Sequence, residues 1–288
     1  MGSLIYLNGE IQPAESARIS PFDRAFLFGE GIYEVCIIIN GQFVDMDSHL
    51  ARLDRSLGAC GMTPPPERAQ LPQIMHDLAH ANGITNGFAY LQVTPGATPR
   101  SFTAVPQGRP TVMILAQAQD FLSAPSLSRG ITVQLQPDIR WLHRDIKTTM
   151  LLPQVMAKRS ALANGVDDTL FFDELGITEG SSSNVFIVEA SGTLITRPLS
   201  HHLLAGCTRA RIITLAQDAG MKVEERIITR DELLRAPEVF VTSATYMIVP
   251  VTSIDGHAVG DGQTGEVTKR LQDAYLDFMR SLSAPATR

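Results

Sequence analysis

Lys147 is the residue of this chain with the most distinctive chemical potential. It is the first lysine in the sequence, and only Lys158, Lys222 and Lys269 follow it. It lies in the segment 138–150, between a predicted strand and a predicted helix. A primary amine, unlike a guanidinium, can lose its proton and attack a carbonyl. Lys147 is therefore a candidate nucleophile, although a single lysine is equally well explained as an ordinary surface residue.

Several other groups suit a ligand that is an aromatic aldehyde carrying an anionic group. Gly206-Cys207-Thr208 begins a predicted helix, where free N–H groups and the helix dipole favour phosphate. Residues 242–245 follow a predicted strand and add backbone N–H and hydroxyl donors. Arg52, on a predicted helix, can grip phosphate with two nitrogens. Glu179 can pair with a protonated ring nitrogen.

Motifs of other enzyme classes are absent from the sequence. Gly29-Glu30-Gly31 is only a fragment of a dinucleotide fingerprint, and a strand rather than a helix follows it. There is no phosphate-binding loop of the Walker type and no G-x-S-x-G elbow. His201-His202 has no ligand partner at metal spacing, so we expect no metal site. Ser181-Ser182-Ser183 is explained as a turn or cap.

Composition narrows the class of protein further. The chain has 288 residues, 44% hydrophobic content and a formal net charge of −6, with no basic stripe that would indicate nucleic-acid binding. No apolar run approaches the roughly 20 residues of a membrane span, and the first residues do not form a secretory signal. The three cysteines include no C-x-x-C pair, so neither a disulfide framework nor a zinc knuckle is expected. We expect a cytoplasmic protein.

Strands and helices alternate without a regular β-α-β rhythm, which predicts an α+β fold in two domains. Strands are predicted at 4–7, 32–39, 88–94, 111–117, 131–135, 169–172, 184–189 and 238–242, and helices at 48–57, 71–82, 152–163, 208–219 and 266–281. The predicted limits are a smaller N-terminal domain at 1–119, a connector at 120–130 rich in Ser, Pro and Leu, and a larger C-terminal domain at 131–288.

At this point the chain resembles a known family, the fold type IV pyridoxal-phosphate-dependent aminotransferases, and within it most closely the D-amino-acid transaminases. The resemblance extends from the Asn8-Gly9 hairpin to the helix that contains Lys269. Its most specific stretches are residues 28–35, 49–53, 90–94, 98–100, 138–147, 178–186 and 240–243. It implies pyridoxal 5'-phosphate as the cofactor and a homodimer whose active sites are shared between subunits.

The resemblance also implies roles for individual residues. Lys147 matches the lysine that holds the cofactor as a Schiff base and later moves the substrate proton. Glu179 matches the carboxylate that faces the pyridine nitrogen, and Leu204 an apolar residue against the cofactor ring. Tyr33 and Arg100 match the residues that hold the substrate carboxylate, with Arg100 supplied by the partner subunit. The residues that match the phosphate cup are Arg52, Cys207, Thr208, Ser243 and Ala244.

The chain departs from the D-amino-acid transaminases where the substrate carboxylate binds. Arg100-Ser101-Phe102 stands where those enzymes carry Arg-x-His, and Pro95 stands where they carry an arginine. Ala244 replaces a threonine, although its backbone N–H would remain. Losing one charged partner of a buried carboxylate costs about 1.5–3 kcal/mol of binding. Three explanations of these differences are open. The carboxylate is bound more weakly, another arginine binds it, or the enzyme has a different substrate.

These differences leave several functions open. The leading interpretation is a transaminase that passes the amino group of a D-amino acid to pyruvate or 2-oxoglutarate. An (R)-amine transaminase, a branched-chain L-amino-acid transaminase and an aminodeoxychorismate lyase share the fold. Tyr33-Glu34-Val35 differs from the Glu-Gly-Ile-Arg pattern usual in the branched-chain enzymes, which disfavours that activity. A non-catalytic cofactor-binding protein would be expected to have lost its charged site residues, whereas Lys147, Glu179, Arg52 and Arg100 are all present.

Overall fold

A computed structural model describes residues 3–104 and 108–282 of the chain. Contacts divide the described residues into two compact units. The first unit contains the residues up to Asp120, the segment Ile146–Met150 and the residues from Arg280 onward, and the second contains Phe121–Asp145 and Leu151–Met279. The domain limits expected from the sequence remain a prediction. Part of the expected connector forms a short helix, Pro125–Arg129.

The first unit is built on a six-stranded antiparallel sheet. Its strands are β1 (Leu4–Leu7), β2 (Glu10–Pro13), β3 (Ile32–Ile39), β4 (Gln42–Phe43), β5 (Gly87–Thr94) and β6 (Thr111–Ala118), in the order β2-β1-β6-β5-β3-β4. Tight turns at Asn8-Gly9 and Asn40-Gly41 close two of its hairpins. All four turn residues have positive φ, from 51° to 109°, which asparagine and glycine tolerate best.

Helices of the first unit are α1 (Arg24–Phe28), α2 (Met46–Ala59) and α3 (Leu71–Ala81), with a single 3₁₀ turn at Arg68–Gln70. Three leucines of α2, at 50, 53 and 57, are buried at the three- and four-residue spacing of one helical face. They join the core that covers the sheet, together with Leu91 and Ile114. This packing places α2 beside β3, so residues of these two elements meet.

A nine-stranded mixed sheet forms the centre of the second unit. Its strands are β7 (Ile131–Pro137), β8 (Asp168–Phe172), β9 (Ile177–Gly180), β10 (Asn184–Val188), β11 (Leu194–Thr196), β12 (Val223–Glu225), β13 (Glu238–Ser243), β14 (Met247–Ile254) and β15 (His257–Ala258). The order is β12-β11-β10-β13-β14-β7-β8-β9, and β15 pairs with β14. Strands β8, β10, β13 and β14 are mostly buried. The loops that follow these strands therefore begin at well-packed positions.

Five helices of the second unit complete the described elements: α4 (Pro125–Arg129), α5 (Leu152–Ala163), α6 (Cys207–Asp218), α7 (Arg230–Arg235) and α8 (Glu266–Ser281). Strands β7 and β8 pair in parallel, and α5 lies between them in sequence. Among the described residues, no helix is both long and apolar enough to span a membrane.

Predicted and observed elements agree to within two residues for most strands and helices. The clearest omission is β14, a central strand that contains Pro250 and that the sequence patterns did not predict. Pro250 pairs with Phe240 of β13, and the pairing with β7 on the other side begins only at Val251. The missing proline N–H therefore costs β14 no hydrogen bond to β7. The five-residue α1 is too short for a periodic pattern to reveal.

Candidate active site

The backbone on either side of Lys147 is fixed by hydrogen bonds within the first unit. The amide of Lys147 donates to Ser56 Oγ of α2 at 3.3 Å, and its carbonyl accepts from the amide of Tyr33 at 3.1 Å. Thr148 then forms an isolated antiparallel bridge with Ile32. The lysine is thus held on β3 by main-chain contacts, although it belongs to a loop. Such contacts leave its side chain available for chemistry.

The Lys147 amine lies over an aromatic face. Its Nζ is 4.1 Å from the centroid of the Tyr33 ring, a cation–π distance. Tyr33 stacks on Tyr90 with ring centroids 5.4 Å apart, and the Tyr90 hydroxyl donates to Gln92 Oε1 at 2.7 Å. Burial raises the pKa of Tyr90 to about 12, so this phenol stays protonated. The predicted partners Lys147 and Tyr33 are therefore brought together.

Arg52 belongs to a buried ion cluster on the opposite face of β3. Its Nε and Nη2 donate to Glu34 Oε1 and Oε2 at 2.8 and 2.7 Å, and His49 Nδ1 lies 2.7 Å from Glu34 Oε2. Burial alone would raise the pKa of Glu34, but Arg52 and His49 lower it to about 2. A bidentate grip on phosphate through these two nitrogens, as expected from the sequence, would require Arg52 to leave Glu34.

Arg100 lies among aromatic rings in the first unit. Its guanidinium carbon is 5.5 Å from the Phe28 centroid and 5.9 Å from the Phe102 centroid, and the two rings are 5.2 Å apart. Phe102 is 80% exposed, which is unusual for a large apolar side chain. Arg24 fixes the backbone of this loop by donating to the Ser101 carbonyl at 2.9 Å. The loop thus presents one cation beside an exposed apolar ring.

Glu179 occupies a buried polar pocket at the end of β9. It is 5% exposed and accepts from Arg140 Nη1 at 2.7 Å, from the Leu204 amide at 2.9 Å and from Asn184 Nδ2 at 3.3 Å. Burial raises the pKa of the carboxyl, while Arg140 and the Leu204 amide oppose that rise. All three partners are donors, so they match the ionised, acceptor-only form of the carboxyl. Glu179 and Leu204, both predicted site residues, are adjacent.

Arg140 is a further buried residue beside Glu179, and it was not identified from the sequence. Its guanidinium also donates to both oxygens of Asp138, at 2.9 and 2.6 Å, and Thr178 Oγ1 donates to Asp138 as well. With Asp138 and Glu179 as neighbours, Arg140 is a buried cation between two carboxylates. Asp138 and Arg140 lie in the same segment as Lys147. These two opposite charges, two residues apart, are the feature of the sequence that could have indicated Arg140.

The N-terminus of α6 combines free backbone donors with a close backbone approach. Gly206 is its N-cap, in an extended conformation and without a side-chain cap hydrogen bond, and Cys207 and Thr208 form the buried first turn. A Cβ at Gly206 would lie 2.1 Å from Asn184 Oδ1, so any other residue there would have to displace the Asn184 side chain. The predicted helix start is thus observed, one residue earlier than expected from the pattern.

Ser243 and Ala244 lie at the turn between β13 and β14. Ser243 Oγ accepts from the Tyr246 amide at 3.0 Å. In the part of the chain that the structure describes, the buried hydroxyls of Thr242 and Ser183 have no hydrogen-bond partner. Ser183 immediately precedes β10, and the first residue of β10, Asn184, pairs with Thr242 of β13. Unpaired hydroxyls, the α6 N-terminus and the strand-end turn make a donor set that fits an anion such as phosphate.

His201 has neighbours that its spacing in the sequence did not indicate. Its Nδ1 lies 3.2 Å from Asp145 Oδ1, and one ligand-type atom from each of His143, Asp145 and His201 lies within 4.8 Å of the others. A backbone hydrogen bond of 2.9 Å from the Arg144 amide to the His201 carbonyl brings the two loops together. These neighbours are distant from His201 in sequence, so spacing alone did not indicate them. The absence of a metal site remains a prediction.

Residues 31–254 match the model of the amino-transferase class IV family. The chain belongs to the class IV aminotransferases. Among curated relatives of this aminotransferase is the D-alanine aminotransferase of Bacillus licheniformis, 34% identical over 97% of this chain and 98% of the relative. The D-alanine aminotransferase of Staphylococcus haemolyticus is 33% identical over 97% of this chain and 99% of its own.

Solved structures of class IV aminotransferases share the fold throughout. The branched-chain amino acid aminotransferase of Escherichia coli superposes with a TM-score of 0.89 at 27% identity, covering 97% of this chain and 95% of that one. The branched-chain amino acid aminotransferase of T.th., solved with pyridoxamine 5'-phosphate, gives 0.89 at 26% identity over 97% and 94%. The family, the α+β class and the enzyme class predicted from the sequence are thus confirmed.

Proposed function

We propose that this class IV aminotransferase uses pyridoxal 5'-phosphate to transfer the amino group of D-amino acids, such as D-alanine or D-glutamate, to pyruvate or 2-oxoglutarate. The observation that carries the proposal is the position of Lys147, whose backbone is fixed on β3 and whose amine lies 4.1 Å from the Tyr33 ring centroid. The similarity to D-alanine aminotransferases over nearly the whole chain supports the choice of donor.

Lys147 has two tasks in this proposal. Its amine would hold the cofactor through the aldehyde carbon, and when released from it the same nitrogen would be the base that takes the proton from the substrate Cα. When bound, pyridoxal phosphate supplies an electron sink for the negative charge left on that carbon. The Tyr33 face stabilises Lys147 whenever the amine is protonated, between accepting the proton and delivering it.

The Glu179 carboxylate would keep the pyridine nitrogen of the bound cofactor protonated. This task requires an ionised carboxylate, which the three donors around Glu179 favour. Leu204 contributes its amide to the carboxylate and leaves its apolar side chain to pack on the cofactor ring. The phosphate would be held by Cys207, Thr208, Ser243 and Ala244 together with Arg52, whose Nε and Nη2 would have to leave Glu34 to reach it. The unpaired hydroxyl of Thr242 is a further donor at the same turn.

The substrate carboxylate is assigned to Tyr33 and Arg100. We place Arg100 in the active site of a partner subunit, so the functional unit is a homodimer with shared sites, located in the cytoplasm. Phe102 beside Arg100 offers no charge, so the grip depends on one guanidinium and one phenol. This weaker grip predicts a high Michaelis constant for D-amino acids rather than a loss of turnover.

Two observations favour second candidates. The exposed Phe102 ring next to Arg100 would also suit an (R)-amine with an apolar group in place of the carboxylate. The superposition on branched-chain aminotransferases fits an L-amino-acid donor. An aminodeoxychorismate lyase is the remaining candidate on this fold, and release of pyruvate from aminodeoxychorismate would reveal it.

A panel of half-reactions separates these functions. The purified enzyme is mixed with D-alanine, D-glutamate, L-alanine, L-leucine or (R)-1-phenylethylamine, and the loss of the cofactor's visible absorbance is followed. We expect D-alanine or D-glutamate to react fastest and L-alanine, the matched mirror image, at least about 100-fold more slowly, a difference of about 2.7 kcal/mol in activation free energy. Faster reaction with L-leucine or the (R)-amine would overturn the assignment of the donor.

A further inference from the structure

A buried carboxylate outside the assigned site residues links the two turns that carry them. Asp168, the first residue of β8, is 1% exposed. Its Oδ1 accepts from Ser181 Oγ at 2.5 Å and from the amide of Thr169 at 2.7 Å. Its Oδ2 accepts from the Tyr246 hydroxyl at 3.0 Å and lies 3.0 Å from Lys158 Nζ. Both oxygens are therefore occupied by donors.

Ser181 ties Asp168 to the turn that follows Glu179. This turn joins β9 to β10, and its backbone is fixed further by the Ser181 amide, which donates to the Thr169 carbonyl at 3.0 Å. Ser181 is 6% exposed, so its hydroxyl is shielded from competing water. The position of Glu179 two residues earlier thus depends on a contact to β8.

Tyr246 ties the same carboxylate to the turn between β13 and β14. The Tyr246 amide donates to Ser243 Oγ, while its hydroxyl reaches Asp168. Lys158 of α5 also donates to the Tyr246 hydroxyl at 2.7 Å, so Asp168, Tyr246 and Lys158 each contact the other two. Burial and the negative charge of Asp168 raise the pKa of Tyr246, which keeps its hydroxyl a donor.

We infer that Tyr246 and Ser181 are positioning residues for the cofactor and act through Asp168. Tyr246 fixes the phosphate-binding turn, Ser181 fixes the turn behind Glu179, and Asp168 holds the two at a set separation. The assignment rests on the proposed function, because it presupposes that these turns bind the phosphate and the pyridine nitrogen. Neither side chain touches the reacting atoms.

The positioning roles of Tyr246 and Ser181 can be tested on the apoenzyme with two ligands that differ only in the phosphate. Dissociation constants for pyridoxal 5'-phosphate and for pyridoxal are measured by equilibrium dialysis on the wild type, Tyr246→Phe and Ser181→Ala. For Tyr246→Phe we expect the constant for pyridoxal phosphate to rise about tenfold, the equivalent of about 1.4 kcal/mol, and that for pyridoxal to stay within twofold. For Ser181→Ala we expect both constants to rise together, because the ring contact is disturbed.

Tyr275→Phe is the matched control, since it removes another buried tyrosine hydroxyl of the second unit, from α8. It should change neither constant. Unchanged binding of pyridoxal phosphate in Tyr246→Phe would overturn the inference, and so would equal weakening of both ligands, which would indicate a general loss of structure. A wild-type apoenzyme that binds no pyridoxal phosphate would instead overturn the proposed function.

Discussion

The backbone amide of Leu204 donates a hydrogen bond of 2.9 Å to the carboxylate of Glu179. The two residues are 25 positions apart in the chain, and each was predicted separately, one for the cofactor nitrogen and one for the cofactor ring. Their contact places Leu204 next to the Glu179 carboxyl. Because Arg140 binds the other oxygen of Glu179, the charge of this acid depends on a residue that would not touch the cofactor.

Arg140→Met should therefore impair the enzyme through Glu179. Burial raises the pKa of Glu179, and without the opposing cation that pKa would rise further, so Glu179 would be protonated at a higher pH. Breaking a buried ion pair costs about 3–5 kcal/mol of folding stability. Because the variant would also lose the Glu179 charge, we expect the D-alanine half-reaction to slow by at least about 100-fold, about 2.7 kcal/mol in activation free energy. The acid limb of its pH profile should also move to higher pH. Single-turnover absorbance across pH measures both effects.

Arg129→Met is the control for that substitution, because it breaks an exposed ion pair with Asp167 in the same unit. Exposed pairs contribute about 0–1 kcal/mol, so its rate and pH profile should match the wild type. An Arg140→Met enzyme with the wild-type profile would show that Glu179 is ionised without Arg140.

Acid stability should depend on Glu34. Its pKa is lowered from 4.5 to about 2 in the folded protein, chiefly by Arg52 against the opposing effect of burial. A depressed carboxylate stabilises the fold above its unfolded pKa, and this stabilisation is lost as the pH falls from about 4.5 towards 2. The loss should be on the order of 3 kcal/mol. Urea unfolding of the wild type and Glu34→Gln, at pH 7 and at intervals down to pH 3, measures it.

Glu34→Gln should be less stable than the wild type at pH 7 and should lose less stability as the pH falls. Glu67 serves as the comparison residue. It is a second buried acid of the first unit, and it forms an ion pair with Arg109. In Glu67→Gln the wild-type slope due to Glu34 should persist. If Glu34→Gln shows the full wild-type slope, the stabilising pair lies elsewhere.

Phe102→His should strengthen the binding of D-amino acids. The substitution adds a second polar donor beside Arg100, and a recovered hydrogen bond to a carboxylate contributes about 1.5–3 kcal/mol, so the Michaelis constant for D-alanine should fall at least about tenfold. Steady-state rates measure it, with Phe22→His as an exposed control in the same unit. An unchanged constant for D-alanine would mean that the carboxylate does not bind beside Phe102.

Tyr33 should have two separable roles. Tyr33→Phe keeps the ring beneath the Lys147 amine but removes the phenol, so we expect a Michaelis constant raised about tenfold or more with a nearly normal cofactor spectrum. Tyr33→Leu removes the ring as well and should also lower the half-reaction rate. If Tyr33→Phe binds D-alanine as tightly as the wild type, the phenol is not part of the carboxylate grip.

Local sequence signals predicted the positions of the chemical groups well. Periodicity and glycine signals located α6, and its start at Cys207 supplies the expected free N–H groups. Lys147 lies between β7 and α5, as its flanking patterns indicated. These features depend on neighbours in sequence. The same is true of the Asn8-Gly9 turn, where residue type alone dictates the backbone.

The contacts between distant residues were not predictable in the same way. Glu34 and Arg52 are 18 residues apart, and only the packing of α2 against β3 brings them together. That contact occupies Nε and Nη2 of an arginine that had been assigned to the phosphate from the sequence. Asp168 and Tyr246, 78 residues apart, meet because β8 and β14 both flank β7. The order of these strands in the sheet cannot be predicted from a local sequence pattern.

The covalent bond that we propose between the Lys147 amine and pyridoxal phosphate can be tested directly. Borohydride reduction fixes the bond, and digestion with mass spectrometry then locates the modified lysine among the four in the chain. We predict that the phosphopyridoxyl group lies on Lys147 alone and that Lys147→Ala retains none. Modification of Lys158, Lys222 or Lys269 instead, or of no peptide, would contradict the assignment of Lys147 and the roles built around it.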